Sequence, residues 1–303
     1  MEFRVSVIIP VFNCEKFVFE AIESAISCPE VGEVIVIDDG STDSSFQICK
    51  NLARSNLKIK IFTHPGQKNL GPSASRNLGI RKANFPFISF LDSDDWYLDN
   101  RFKKDKLTFE NHPEIDAVYS CSIHEYNLGK NDLRYGVRFD PLVNCAKDLE
   151  PVAFYKKILT SNITLFDTNS ITLRRSFLLN HKLFDERLNL HQDTELWFRL
   201  LRSGKFMVGE FLRPVSVVRA HPDHRISSRS PKSSQRMWCV LIDNLGIDNL
   251  YKFEIDFIYR RLLRVKSRFY SNSFYRRLYF YGLYFIYFFH KEKFIIKLIN
   301  NCA

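Results

Sequence analysis

Within the first hundred residues, short apolar runs alternate with segments of helical periodicity, and few folds accommodate that order. Residues 5–11 (VSVIIPV) form a continuous apolar run of buried-strand length. Phe17, Val18, Ala21, Ile22, Ala25 and Ile26 then recur at helical spacing. Residues 34–37 are a second apolar run, and Phe46, Ile48, Cys49, Leu52 and Ala53 mark a second helix. KIKIF at 58–62 alternates as an outer strand does. After the loop HPGQKNLGP, residues 73–83 read as a helix and 85–91 as a strand. Strand, helix, strand, helix predicts an α/β fold: a Rossmann-like, mostly parallel sheet flanked by helices.

Ligands of such sheets sit beyond the carboxyl ends of the strands. The first strand ends in Phe12-Asn13, the second in Asp38-Asp39 and the fourth in Asp92-Ser93-Asp94. Three strands thus deliver polar groups to one rim.

FLDSDDW at 90–96 places three carboxylates within four residues. Like charges that close need compensation from solvent, a helix start, a cation or a ligand. As structure, Asp and Ser at a strand end cap a following helix. As function, Asp92 and Asp94 offer hard oxygens to Mg2+ or Mn2+ and leave positions open for phosphates. In an extended segment these two share a face, with Asp95 pointing elsewhere to support the loop. In VIVIDDGSTD, Asp38 or Asp39 can accept hydrogen bonds from a base or ribose, and Asp43 or Ser44 can cap the next helix.

The middle is less regular. Residues 117–126 and 170–173 read as strands, 193–202 as a helix ended by Gly204, and 206–218 as strand-like, broken by Pro214. Past Arg225 the pattern is helical, first polar, then aromatic and basic. The net charge of +10 is concentrated there: from Tyr251 onward 11 Lys and Arg face three acids, among about 17 aromatic residues. The apolar run 278–289 is shorter than the roughly 18–20 residues that span a bilayer. Its basic flanks fit an element lying on an anionic membrane surface. The alternative is a helical subdomain packing on the core or on a second copy, as in a homo-oligomer. Aromatic runs this apolar are poor sites for exposed base stacking, so no nucleic-acid partner is expected. The seven cysteines are odd in number and lack a C-x-x-C, which argues against a disulfide framework and for a reducing compartment. MEFRVSVIIPVF carries no basic n-region or small-residue cleavage site, so no signal peptide is expected.

SVIIPVFN, VIVIDDGSTD, GPSASRNLGI and FISFLDSDDW, in this order and spacing, resemble the nucleotide-sugar-binding half of a family 2 glycosyltransferase of GT-A fold. The resemblance is close over 4–102 and looser, through FDERLNLHQDTELWFRLLRSG, to about His221. It implies a catalytic domain at 1–225, with a nucleotide-binding half at 1–102 and an acceptor-side half at 103–225. Residues 226–303 are then a helical extension. It further implies that the turn Pro10-Val11-Phe12-Asn13 packs on the nucleobase, usually uracil, and that Asp39 bonds the base edge. Arg76 would support base or diphosphate, Asp92 face the ribose and metal, and Asp94 ligate the metal. An aromatic ring stacks on a base, and Arg suits phosphate. This chain has Phe12 where the family usually has Tyr, and Ser75 where it usually has Ala.

HQDTELWFRL resembles the family's acidic pair, with Gln192 replacing the first Glu, so Asp193 matches the catalytic base. Read by itself, Asp193 is a first-turn acid favoured by the helix dipole. Glu195 is a further candidate, for acceptor hydroxyls. In VVRAHPDHRIS, His221 is the candidate to close over the diphosphate through the metal. The expected function is inverting, Mn2+- or Mg2+-dependent transfer from a UDP-sugar to a saccharide or lipid-linked acceptor. Bacterial cell-surface polysaccharide synthesis, in the cytoplasm at the inner face of the membrane, is the expected setting. Two other classes remain: a nucleotidyltransferase, and a non-catalytic membrane-associated scaffold of the same fold.

Overall fold

The computed structural model describes residues 2–127, 133–137, 150–160, 166–219 and 230–267, with Phe274 and Arg277 singly. The first half follows the expected order: β1 (Val5–Val11), α1 (Val18–Ile26), β2 (Val31–Asp38), α2 (Ser45–Ser55), β3 (Ile59–Thr63), α3 (Gly71–Lys82) and β4 (Phe87–Phe90). β1 lies between β2 and β4, parallel to both, and is buried at every residue. Strands covered on both faces read as unbroken apolar runs, which is why periodicity found β1 and β2. β3 is the edge strand and alternates accordingly.

α3 is unlike its neighbours because it buries polar residues, Ser73, Ser75, Arg76 and Asn77. It also approaches β1 closely. A Cβ at Gly79 would sit 2.4 Å from Cγ2 of Ile8, so only glycine fits that contact.

The chain continues through β5 (Trp96–Tyr97), α4 (Lys103–Asn111), β6 (Ala117–Tyr119), β7 (Ile123–Asn127), β8 (Leu133–Val137), α5 (Pro151–Thr160), β9 (Ile171–Arg174), α6 (Arg175–Leu179), α7 (Gln192–Leu201), β10 (Phe206–Val208) and β11 (Ser216–Val218). The described strands form a seven-stranded sheet, β10-β6-β9-β4-β1-β2-β3, and a four-stranded sheet, β5-β11-β7-β8. In the larger sheet β9 runs antiparallel between β4 and β6, while the other described pairs are parallel.

Two expectations need correction. The single strand over 117–126 is two, β6 and β7, in different sheets, and 206–218 divides likewise into β10 and β11. The crossing point is held by Cys121, whose N–H donates to Glu210 O and whose carbonyl accepts from Val215 N. A period of two is the same in either sheet, so the sequence pattern does not register the change.

α8 (Pro231–Leu245) and α9 (Lys252–Ser267) complete the described chain. A capping box between Ser230 and Ser233 starts α8. Trp238, Leu241, Phe257, Ile258 and Leu262 share one hydrophobic core with α5, α7 and the sheet. The described part of the extension therefore packs on the catalytic-side core, while the aromatic, basic run 278–289 lies outside the described residues. Among the described residues no helix is long and apolar enough to cross a membrane. Cys14, Cys28, Cys49 and Cys121 are free thiols, whereas Cys239 is disulfide-bonded, which the unpatterned cysteine set did not suggest.

Candidate active site

The rim is assembled from the ends of β1 and β2. Pro10 and Val11 still belong to β1, with Pro10 opposite Ile37, so the turn begins at Phe12 rather than at Pro10. Phe12 is 45% exposed, a large aromatic ring left open at the rim. Asn13 adopts φ 49° and ties the two strand ends together. Its Oδ1 accepts from Thr42 N at 2.8 Å, and its N–H donates to Ser41 Oγ at 3.1 Å. Ser44 is the N-cap residue of α2 but makes no side-chain cap bond; Asp43, one residue earlier, accepts from Ser45 N at 2.9 Å.

Asp38 and Asp39 are both buried. Asp38 Oδ2 accepts from Ser41 N at 3.3 Å, and its Oδ1 has no partner among the described residues. The Asp39 carboxylate accepts from Leu70 N at 2.8 Å and Gly71 N at 2.9 Å, the N–H groups that open α3. His64 Nε2 lies 3.5 Å from Asp39 Oδ1 and 2.9 Å from Ser75 Oγ. Gly40, at φ 76°, lets this turn close on the 65–69 loop, because a Cβ there would meet Gln67 O at 2.5 Å.

The acidic loop after β4 is turned rather than extended, with Asp95 N donating to Asp92 O at 3.1 Å. It caps no helix either, since β5 follows directly. Asp92 and Asp94 are half-buried, and Asp95 is buried. Asn169, in a short helical turn before β9, grips both ends of the loop. Its Oδ1 accepts from Asp92 N at 2.9 Å, and its Nδ2 donates to Asp95 Oδ2 at 2.5 Å. Arg219 closes the other side: its N–H donates to Asp95 Oδ1 at 2.7 Å and its Nε to Asp94 O at 2.8 Å. The Arg219 guanidinium stacks over Trp96 and Phe17 and pairs with Glu20. Burial, then the charges of Asp94 and Asp92, push the Asp95 carboxyl well above the usual carboxylate range. Behind the loop, fully buried Arg101 donates to Asn169 O and pairs with Asp105 at 2.8 Å.

Arg76 reaches this loop from α3. Its Nη2 donates to Asp92 Oδ1 at 2.5 Å, while Nε and Nη1 are buried without a partner among the described residues. Asp92 and Asp94 are the half-buried carboxylates that would hold a divalent cation, since hard oxygens are its usual ligands, with Asp92 Oδ1 shared with Arg76. Among the described residues no group of three or more His, Cys, Asp or Glu gathers into a fuller protein cage.

α3 also holds the segment that precedes α7. Asn77 Nδ2 donates to Phe184 O and Glu186 Oε1, both at 2.9 Å, and Ser73 Oγ donates to Leu188 O at 2.9 Å. The segment so held runs into α7, where Asp193 stands half-buried in the first turn. Leu196, Trp197, Leu200 and Leu201 seat that helix in the core as their spacing predicted. Glu195 is not available for acceptor hydroxyls. It is fully buried, paired with Arg199 Nε at 2.6 Å and Nη2 at 2.8 Å, and accepts from Asn244 Nδ2 at 2.8 Å. His221 lies outside the described residues.

The structure thus places Phe12, Asn13, Asp39, Asp92 and Asp94 at the strand ends with Arg76 reaching in from α3, while Asp193 follows the 184–188 segment that α3 holds. Asn169, Arg101 and His64 were missed in the sequence. The clamp of Arg219 on Asp94 and Asp95 was missed as well.

Residues 6–181 match the profile described as Glycosyl transferase family 2. An uncharacterized glycosyltransferase of Haemophilus influenzae is 40% identical over 36% of this chain and 43% of its own length. The minor teichoic acid biosynthesis protein GgaA of Bacillus subtilis is 33% identical over 66% of this chain and 44% of its own. This chain therefore spans less than half the length of these two relatives. The crystal structure of S. aureus TarS residues 1–349 in complex with UDP aligns at a TM-score of 0.61 and 20% identity, over 89% of this chain and 72% of that one. Motif order, sheet topology and these matches agree, and the chain belongs to glycosyltransferase family 2, with a GT-A fold.

Proposed function

We propose that this chain transfers a sugar from a UDP-sugar to a saccharide or lipid-linked acceptor, inverting the anomeric carbon. One observation carries the donor reading. Arg76, 3% exposed, holds Asp92 through Nη2 while Nε and Nη1 stay buried without acceptors among the described residues. Held beside Asp92, the guanidinium brings fixed positive charge to the acidic rim, and a diphosphate bound there would be attracted to it. Phe12 offers a stacking face beside Asp39, which suits a base next to that diphosphate. The fold-matched TarS is crystallised with UDP and with UDP-GlcNAc, which supports a nucleotide-sugar donor. When bound at Asp92 and Asp94, a divalent cation supplies charge neutralisation for the departing diphosphate.

Asp193 takes the proton of the acceptor hydroxyl as that oxygen attacks the anomeric carbon and the bond to the diphosphate oxygen breaks. The GgaA relative, named for minor teichoic acid biosynthesis, supports an acceptor of the cell envelope.

The test is a panel of UDP- and GDP-sugars with purified protein and Mn2+ or Mg2+, read as thermal shift and slow donor hydrolysis. One UDP-sugar should stabilise the protein with metal and release UDP, and Asp94→Ala should lose both effects. A folded protein that responds to no donor overturns the reading, and pyrophosphate as product favours a nucleotidyltransferase.

A further inference from the structure

We propose that Asp167, its carboxylate set by Ser122 and His124, accepts a hydrogen bond from a hydroxyl of the transferred sugar and so selects among UDP-sugars. This rests on the donor site proposed above. Ser122 Oγ donates to Asp167 Oδ2, and His124 Nε2 reaches the same oxygen at 2.8 Å. Asp167 stands at the N-cap of the short helical turn Thr168–Ser170, where an Asp ordinarily bonds the N–H groups of its own turn. Its carboxylate makes no such cap bond and meets Ser122 and His124 instead.

The sheet order places this cluster. Neighbouring strands of the larger sheet run β2-β1-β4-β9. Phe12 and Asp39 stand at the ends of β1 and β2, and Asp92 and Asp94 follow β4. A UDP-sugar with its base at the first pair and its diphosphate at the second carries its sugar onward, over the entry to β9. β9 runs antiparallel to β4, with Thr172 opposite Ser89, so that entry lies where β4 ends and the acidic loop begins. Asp167 belongs to it, two residues before Asn169, whose Oδ1 accepts from Asp92 N. His124 arrives from the second sheet. It pairs with Val218, and the next residue, Arg219, donates to Asp94 O. The cluster is thus attached to the acidic loop on both sides.

Ser122 is 1% exposed, whereas the side chains of His124 and Asp167 are 12% and 16% exposed. The cluster is therefore anchored on its buried side and reachable at its edge. Two partners on one oxygen give the carboxylate a fixed direction. A site built to hydrogen-bond a hydroxyl rejects a sugar that lacks it or carries it on the other face, since the site's own polar group then goes without that partner. Asp167 is the specificity-determining residue, and Ser122 and His124 act through it as positioning residues.

The experiment measures dissociation constants of UDP, UDP-glucose, UDP-galactose, UDP-GlcNAc and UDP-GalNAc by calorimetry, with manganese, for the full chain. The wild type should prefer one of these sugars over its epimer or its N-acetyl counterpart. Asp167→Asn should weaken the preferred UDP-sugar about tenfold, the scale of one hydrogen bond to a charged group, while UDP, which carries no sugar, changes less than about twofold. His124→Leu should lose part of the same preference. Equal wild-type affinity for all four sugars, an unchanged preference in folded Asp167→Asn, or equal losses for UDP and every UDP-sugar would each overturn the proposal, the last by marking a cluster that only supports the acidic loop. If Asp167→Asn does not fold, Ser122→Ala carries the same test, because it removes one donor and leaves the carboxylate in place. Wild-type protein that binds no UDP overturns the donor reading itself, an outcome distinct from lost sugar preference in the variants alone.

Discussion

Nδ2 of Asn169 donates to Oδ2 of Asp95 at 2.5 Å, across 74 positions of sequence. With Asn169 Oδ1 on the Asp92 amide, one side chain sets the curvature of the loop that presents Asp92 and Asp94. Asn169→Ala leaves a buried carboxylate oxygen and an amide N–H without partners, which costs about 1–3 kcal/mol each. The variant should unfold at lower denaturant concentration and bind metal-dependent donor more weakly. Full donor affinity in a destabilised variant would show that Arg219 suffices to shape the loop.

Arg76→Ala removes the guanidinium between α3 and Asp92. Charge-assisted hydrogen bonds of this kind contribute about 1.5–3 kcal/mol, so nucleotide-sugar affinity should fall at least about tenfold. Arg76→Lys keeps the charge but loses the fork and should recover only part of it. Calorimetry with UDP decides the matter, and an unchanged dissociation constant would remove Arg76 from the donor site.

Asp193→Asn keeps the size and polarity of the first-turn residue of α7 but cannot accept a proton. The rate of transfer should drop by about 10²–10⁴ while donor affinity stays within about twofold. A single-turnover assay on the variant separates the two. A loss confined to KM would instead make Asp193 an acceptor-binding residue.

Asp185 gives a pH-dependent expectation. Burial alone would raise its carboxyl, but hydrogen bonds from Arg187, Asn244 and Lys182 outweigh it and hold the group well below the usual range. A folded-state pKa below the unfolded value of about 3.9 gives stability that is present above that pH and lost as pH falls through the folded value. Asp185→Asn should therefore destabilise the protein by about 2 kcal/mol at pH 7, with the gap closing in acid. Urea titrations at neutral and acidic pH measure it. A gap that does not change with pH would assign the loss to shape rather than charge.

By itself the sequence determined the first half of the fold, from β1 to β4. β1 and β2 are covered on both faces and so read as near-continuous apolar runs, broken by buried Ser6 and Glu33, while α1 and α2 bury one stripe and glycines mark the turns. These are local requirements, and local patterns carry them. The polar ends of the strands were legible for the same reason, since a known topology places them on one rim.

Tertiary structure decided the rest. Nothing near Asn169 in the chain says that it will meet Asp92 and Asp95, and nothing in TEL says that Glu195 will be sealed by Arg199 and Asn244 while Asp193 stays half-open. The β6-to-β7 crossing was hidden because both sheets share one period. The polar face of α3 was hidden because its partners are backbone atoms at 184 and 188, more than a hundred residues away. A hydrogen bond between distant segments leaves no periodic trace in sequence, and such bonds tie α3 to the segment that leads into α7.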